Sequence, residues 1–304
     1  MKVVIAGGTG FLGQPLVRAL AADGAEVVVL TRGGPAKPAI PARFVTWSLD
    51  QPGGAWPAEL EGAAAVVNLA GESIASRRWS PAQKERILDS RLRATRALTQ
   101  AIRGAKRPPL SLLSGSAVGY YGPLGDEVVT EDRRAGSDFL ANVCEQWESQ
   151  AVQGAGGVTR VVCIRTGLVL EKDGGALPRM LLPFKFGAGG PLGSGRQYWP
   201  WIHRADWIAL MLWTIANAAV SGPINATAPT PVTNAEFTRS LGRALHRPAF
   251  LPAPAFALRL ALGEMADALL LSGQRAVPAK AERLGFTFRH TDLDEALGSI
   301  FAKG

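Results

Sequence analysis

The sequence predicts an α/β fold, a doubly wound parallel sheet with a smaller, mostly helical C-terminal region on the substrate side. Three observations predict it. An apolar run, Val3 to Ala6, leads straight into glycines spaced Gly7-x-x-Gly10-x-x-Gly13 and then into an amphipathic segment. Strand-like and helix-like segments alternate through residues 1–170, the pattern of a parallel sheet covered by helices on both faces. The chain has 304 residues, 47% of them hydrophobic, which suffices for a large buried core.

Taken in order, strands are expected at 2–6, 26–31, 43–47, 64–70, 110–115 and 158–165, with helices at 11–23, 80–104 and 137–153. Ser80-Pro81 is a good helix start, with serine as the cap and proline at the first helical position. Residues 71–79 then form a loop at the carboxyl end of the 64–70 strand, the edge along which such sheets bind ligands. Beyond residue 170 the texture changes. Residues 171–204 interleave glycines with Phe184, Phe186, Tyr198, Trp199 and Trp201, and read as a loop-rich segment over a site rather than as core. Segments 205–220 and 233–246 look helical, Pro248, Pro252 and Pro254 form a hinge-like link, and 255–302 reads as a small helical tail. The expected division is 1–170 for nucleotide binding, with later segments returning to it, 171–254 for the substrate side, and 255–304 for a C-terminal helical domain.

Composition narrows the function. The longest apolar stretch, Ile208 to Val220, is too short to span a membrane and contains Asn217, and 255–271 is broken by Arg259, Glu264 and Asp267. No membrane partner is expected, and residues 1–13 are needed as strand and turn rather than as a secretory leader. Two cysteines, Cys144 and Cys163, give neither a disulfide framework nor metal-ligand spacing, which fits a reducing, cytoplasmic setting and no metal. The net charge of +8 comes mostly from arginines scattered singly among small residues. No recognition module accompanies them, so nucleic acid is not an expected partner. A monomer or homodimer acting on a small molecule is.

The glycine turn carries the chemistry. Gly7 permits a tight turn, Gly10 lets the backbone approach phosphates, and Gly13 lets the following helix pack on the strand. Thr9, Phe11 and Leu12 complete the turn, whose helix end offers free N–H groups to a pyrophosphate. This is the Rossmann-type arrangement. At the end of the second strand, Thr31-Arg32 stands where an acidic residue would hold the ribose of NAD, and an arginine suits the 2′-phosphate of NADP. NADP (NADPH) is the expected cofactor.

Longer stretches carry a family resemblance: Gly7–Gly13, Val67-Asn68-Leu69-Ala70-Gly71-Glu72, Ser90-Arg91, Ser116-Ala117-Val118-Gly119-Tyr120-Tyr121-Gly122, Arg165–Leu170, Trp201-Ile202-His203-Arg204-Ala205-Asp206 and Leu284–Phe288. Over nearly its whole length the chain resembles the extended short-chain dehydrogenase/reductase superfamily. Within it, the chain looks most like the epimerase-family proteins that carry a C-terminal domain of unassigned role. The resemblance implies that Leu69, Ala70, Gly71 and Glu72 pass beside the adenosine, that Glu85 and Arg91 face the cofactor from the long helix, and that Val169 lies near the nicotinamide. It also implies a tyrosine four residues before a lysine, with a serine partner. Here the three tyrosines, Tyr120, Tyr121 and Tyr198, are followed at that spacing by Leu124, Gly125 and Ile202. The register of the family places Leu140 and Cys144 at the two positions. Ser116 matches the serine, and Tyr120 and Tyr121 follow it in a loop that can present a phenol.

His203 and Asp206 are either an acid–base pair or the cap of the helix that follows. Arg196, Gln197 and Trp199 are candidate substrate contacts. Two functions follow: an NADP(H)-dependent epimerase or oxidoreductase working by hydride transfer without the usual dyad, or a non-catalytic NADP(H)-binding redox sensor or scaffold.

Overall fold

A computed structural model of the chain describes residues 1–33, 39–49 and 54–302. Its centre is a seven-stranded parallel sheet built from β1 (Lys2–Ala6), β2 (Glu26–Thr31), β3 (Arg43–Thr46), β4 (Ala65–Asn68), β5 (Ser111–Ala117), β7 (Arg160–Thr166) and β11 (Gly222–Ala226). The order is β11-β7-β5-β4-β1-β2-β3. The direction of winding reverses between β1 and β4, which opens a crevice at their carboxyl ends. Central strands are covered on both faces and so read as continuous apolar runs; Val3, Val4, Ile5 and Ala6 are all fully buried.

Helices α1 (Gly13–Ala22) and α5 (Arg204–Ala216) pack on one face, where Leu16, Val17 and Leu20 meet Val3, Ile5 and Trp207. The other face carries α2 (Pro81–Gly104) and α3 (Phe139–Ala155), with Leu98, Ile102 and Ala151 against Val4, Val66 and Leu112. The serine cap is present: Ser80 Oγ accepts from Gln83 N at 3.2 Å. Asp138 caps α3 through Leu140 N and Ala141 N at 2.7 and 3.0 Å.

The segment expected to be loop over a site carries short regular elements and sends several aromatic residues into the core, while Leu182 and Phe186 stay exposed. It contains α4 (Leu177–Lys185) and two short strands, β9 (Tyr198–Trp199) and β10 (Trp201–His203), the latter paired with β8 (Leu168–Leu170). Leu177, Phe184, Trp199 and Trp201 are buried together with Phe237 and Leu241 of α6 (Asn234–Leu245), which β12 (Val232–Thr233) precedes, and with Leu297 of α10 (Leu293–Phe301). Proline at the start of α4 is compatible with a helix, because the first turn needs no N–H donor there.

The tail is woven into the fold rather than appended. After α7 (Ala255–Leu262) and α8 (Glu264–Ala266), β13 (Arg275–Ala276) pairs with β6 (Val128–Val129). Beyond it, α9 (Ala279–Arg283) leads to Phe286 and Phe288, which join the core beside α5. The Asp206 carboxylate accepts from Arg289 N and His290 N at 2.9 and 2.8 Å, fixing the run into α10.

Candidate functional site

The glycine turn sits at the carboxyl end of β1. Gly7 has φ +83°, and a Cβ there would lie 2.7 Å from the Leu69 carbonyl carbon. Strand ends β1 and β4 therefore touch backbone to backbone. A Cβ on Gly13 would overlap the Gly7 carbonyl oxygen, so α1 can begin this close only as glycine. Gly10 is exposed, and its Cβ would meet only Gly7 O, at 3.3 Å. The first turn of α1 has no side-chain cap and no acidic residue. Gln14 N donates to Gly10 O at 3.0 Å and Pro15 has no N–H, so what the helix end offers an anion is its positive dipole and the backbone of the turn before it. Thr9 is exposed, Leu12 is half-buried, and the half-buried Phe11 ring lies under Gly174-Gly175, where a Cβ at Gly175 would come within 2.8 Å of it. The Arg204 guanidinium, 5.4 Å over that ring, is held by Glu171 and Asp173.

Thr31 ends β2 and Arg32 is exposed directly after it. Asn68 ends β4, with its amide nitrogen on Thr95 Oγ1 at 2.9 Å and its oxygen accepting Ala70 N at 3.2 Å. This local turn bends Leu69-Ala70-Gly71 across the end of β1. Arg91 reaches the same loop: Nη1 donates to Glu72 O at 3.0 Å and Ile87 O at 2.8 Å. Burial pulls its pKa down from the ordinary value. Glu72 N is held by Ser90 Oγ at 2.9 Å. Glu85 lies apart from these groups, on the solvent side of α2 between buried Gln83 and Ile87.

The second half of the site is a buried polar chain. Ser116, Arg165 and Asn225 stand in register on β5, β7 and β11, one residue each from three adjacent strands. Ser116 Oγ donates to Glu148 Oε1 of α3 at 2.6 Å. The Arg165 guanidinium grips the same carboxylate with two bonds of 2.8 Å, the two-pronged geometry guanidinium favours. Its Nη1 also donates to Tyr121 OH at 3.1 Å, and Tyr121 donates to Asn225 Oδ1 at 2.6 Å. The guanidinium lies 3.5 Å from the centre of the Tyr120 ring. Burial opposes the Arg165 charge, but the Glu148 contacts outweigh it and hold its pKa above the ordinary value. Glu131 closes the chain, accepting from Asn225 N at 3.0 Å and from Lys280 N of the tail at 3.1 Å.

Tyr121 is 2% exposed, with burial pushing its pKa up to about 12, and its hydroxyl is engaged by Asn225 and Arg165. Ser116 spends its proton on Glu148. Tyr120 stays partly exposed at the sheet edge. Cys144 is buried, with its thiol pushed up to about 11 by burial, and is inert. Leu140 packs beside Gly119.

Val169 is buried in the core beside α5. Trp199 packs on Phe237, ring centres 5.3 Å apart, and Gln197 is buried with its amide on Leu192 O and Leu270 O. Neither side chain is open to a substrate, whereas Arg196 is exposed. His203 caps α5 through Ala205 N at 3.1 Å and stacks on His290 at 3.9 Å. Burial, and then the neighbouring His290, pull its pKa down to about 4. With Asp206 occupied by the tail, the two form a structural pair and not an acid–base couple.

Sequence reasoning missed Asn225 and Glu131. A lone polar residue inside the apolar run of β11, and an acid following β6, were the available signals. Among the described residues, no cluster of His, Cys, Asp and Glu could hold a metal ion, and no helix is long and apolar enough to cross a membrane.

The chain is similar to known proteins over its full length. The NAD dependent epimerase/dehydratase family model matches residues 3–226. Residues 253–300 match a domain of unknown function, DUF1731. An epimerase family protein of Mycobacterium tuberculosis is 45% identical over 296 residues, covering 97% of this chain and 96% of its own. The human epimerase family protein SDR39U1 is 38% identical over 305 residues, covering 99% and 100%. A crystal structure of human SDR39U1 (isoform 2) with NADPH superposes at a TM-score of 0.89 with 36% identity, over 99% of both chains. A Thermotoga maritima UDP-glucose 4-epimerase, 16% identical, shares the fold at a TM-score of 0.79 over 99% of this chain and 97% of its own.

Proposed function

The chain belongs to the NAD-dependent epimerase/dehydratase family, and on that footing we propose that it binds NADPH along the carboxyl edge of its sheet. We further propose that it acts as an oxidoreductase or epimerase of the extended short-chain dehydrogenase type on a small, anionic or sugar-like substrate. One observation carries the reading. Gly7 and Gly13 leave no room for a side chain while Gly10 is open, beneath a helix end with no side-chain cap and no acidic residue. That cradle fits a pyrophosphate. The relative crystallised with NADPH supports the choice of nucleotide, as does exposed Arg32 at the end of β2.

In this reading Gly7, Thr9, Gly10, Phe11, Leu12 and Gly13 hold the pyrophosphate, and Thr31 and Arg32 hold the adenosine ribose and its 2′-phosphate. Leu69, Ala70, Gly71 and Glu72, braced by Arg91, line the adenosine side. When bound, the nicotinamide supplies the hydride chemistry. The Ser116–Glu148–Arg165–Tyr121 chain fixes the floor, and the Tyr120 hydroxyl is the phenolic proton that remains accessible. A second reading is binding without turnover. The specific observation favouring it is that Ser116 and Tyr121 both spend their protons inside the buried chain.

Calorimetric titration with NADPH and NADH tests the cofactor. Arg32→Glu is expected to weaken NADPH at least tenfold and to leave NADH within about twofold, one lost charge-assisted contact being worth about 1.5–3 kcal/mol. Equal losses for both would remove the 2′-phosphate role. Absorbance at 340 nm with a panel of carbonyl compounds detects an oxidoreductase by net NADPH consumption, and product analysis of sugar substrates detects an epimerase, which recycles its nicotinamide; a protein that binds without turnover gives neither. No association at millimolar NADPH removes both.

A further inference from the structure

We propose that the cleft at the carboxyl end of α6 is an anion site, separate from the carboxyl edge of the sheet, that takes the phosphates of a free nucleoside triphosphate and sets its base against Phe250. The cleft has a volume of about 620 Å³ and is lined by Arg239, Gly242, Arg243, His246, Arg247 and Phe250, with Ala249. No carboxylate lines it, and none of its residues belongs to the glycine turn, to the ends of β2 and β4 or to the buried polar chain. A cleft of about 370 Å³ between Trp56 and Gly104 has the opposite character, with Glu61 and no cation.

The cleft follows from the helix period. Arg239, Gly242, Arg243 and His246 stand at i, i+3, i+4 and i+7, so they share one face of α6 and its cap. Gly242 keeps that face low, since a Cβ there would lie 2.6 Å from Ala249 Cβ. The chain then turns back at His246, whose φ of +52° is the one positive value among the described residues other than glycine. That conformation costs an L residue free energy. His246 N donates to Arg243 O at 3.1 Å and Arg247 N to Gly242 O at 2.9 Å, which satisfies two carbonyls of the helix end. The turn thereby brings Arg247 and Phe250 into the same cleft as Arg239.

Charge, size and the exposed ring select the ligand. Arg243 is held by Asp294, with bonds of 2.6 and 2.9 Å. Arg239 and Arg247 make no ion pair among the described residues. Glu236, three residues before Arg239, is spent on the capping box, accepting from Thr233 N and Thr233 Oγ1 at 2.7 Å each. Three arginines thus line one cleft against a single carboxylate. Like charges four residues apart on a helix repel, and a polyanion between them turns that cost into attraction. Guanidinium matches phosphate in two-pronged fashion. Phe250, 77% exposed at the same cleft, offers a ring on which a base can stack. Clefts for small molecules span about 300–1,000 Å³. A nucleoside triphosphate combines the clustered charge, the phosphates and the planar ring in a molecule of that size.

Calorimetric titration of the full chain with ATP, with and without saturating NADPH, tests this. ATP is expected to bind at submillimolar concentration in the presence of NADPH, and adenosine is expected not to bind. Tripolyphosphate should bind about fivefold more weakly than ATP, the stacked base being lost. The double variant Arg239→Ala, Arg247→Ala should weaken ATP about tenfold or more, with the melting temperature and NADPH affinity unchanged. Phe250→Ala should weaken ATP about fivefold and leave tripolyphosphate unaltered. Should NADPH itself fail to bind, the double variant still locates the ATP. No association with ATP at millimolar concentration overturns the proposal. So does ATP that NADPH displaces, ATP binding that survives the double variant, or an oligothymidylate strand that binds more tightly than ATP.

Discussion

Arg165 is nearly surrounded: two bonds to Glu148, one to Tyr121, one to Glu131 O, and the flat of its guanidinium on Tyr120. At 3% exposure it has exchanged its hydration for these partners, which makes it sensitive to the loss of any one. Arg165→Met strands the Glu148 carboxylate and is expected to cost about 3–5 kcal/mol in urea unfolding. Arg165→Met with Glu148→Leu should recover most of that, and strictly additive losses would mean that the pair is not coupled. None of these partners was legible beside Arg165, because Glu148 and Tyr121 lie 17 and 44 residues away in the chain. What could be read was a charged side chain within the apolar run of β7. Cys144 shows the same enclosure in neutral form. With its thiol pushed up to about 11 by burial, it should resist dithionitrobenzoate at pH 8 in the folded protein and react only on unfolding.

The β1–turn–α1 unit was legible nearly whole, since its glycines answer local demands. At Gly13 the demand is strict. Gly13→Ala must push α1 off the turn, and a loss of at least 2 kcal/mol, with NADPH binding abolished, is expected. Gly10→Ala meets only Gly7 O and should keep its melting temperature while weakening NADPH. Parallel unfolding and binding curves of the two variants would show the contrast, and equal stability would remove the packing role of Gly13. The central strands were read correctly for a related reason, since burial on both faces makes them unbroken apolar runs. Helix α4 was not. Pro178, Pro183 and the surrounding glycines signal a loop, and the helix is stabilised by tertiary packing of Leu177 and Phe184 against α6. The aromatic residues near it were likewise read as lying over a site, whereas Trp199 and Trp201 are core.

Across the molecule, the tail fastens α5, β6 and β11 into one body. His203 stacks on His290, and Asp206 holds the backbone of the same segment. His203 stays neutral in the fold until about pH 4, whereas the unfolded chain takes up that proton near the ordinary value of 6.5. Its contribution is therefore complete above pH 6.5 and is lost as the pH falls toward 4, on the order of 1–3 kcal/mol. His203→Gln should flatten that part of a stability–pH curve, and an unaltered slope would remove the assignment. The reach of the tail was not legible, since Lys280 meets Glu131 across 149 residues.

That long stitch also bears on how the chain is made. During synthesis the sheet, the glycine turn and the Arg165–Glu148 clasp all leave the ribosome before residues 275–290. Glu131 then has Asn225 N but not yet Lys280 N, and the floor beneath Tyr121 is sealed only when the 275–290 stretch follows.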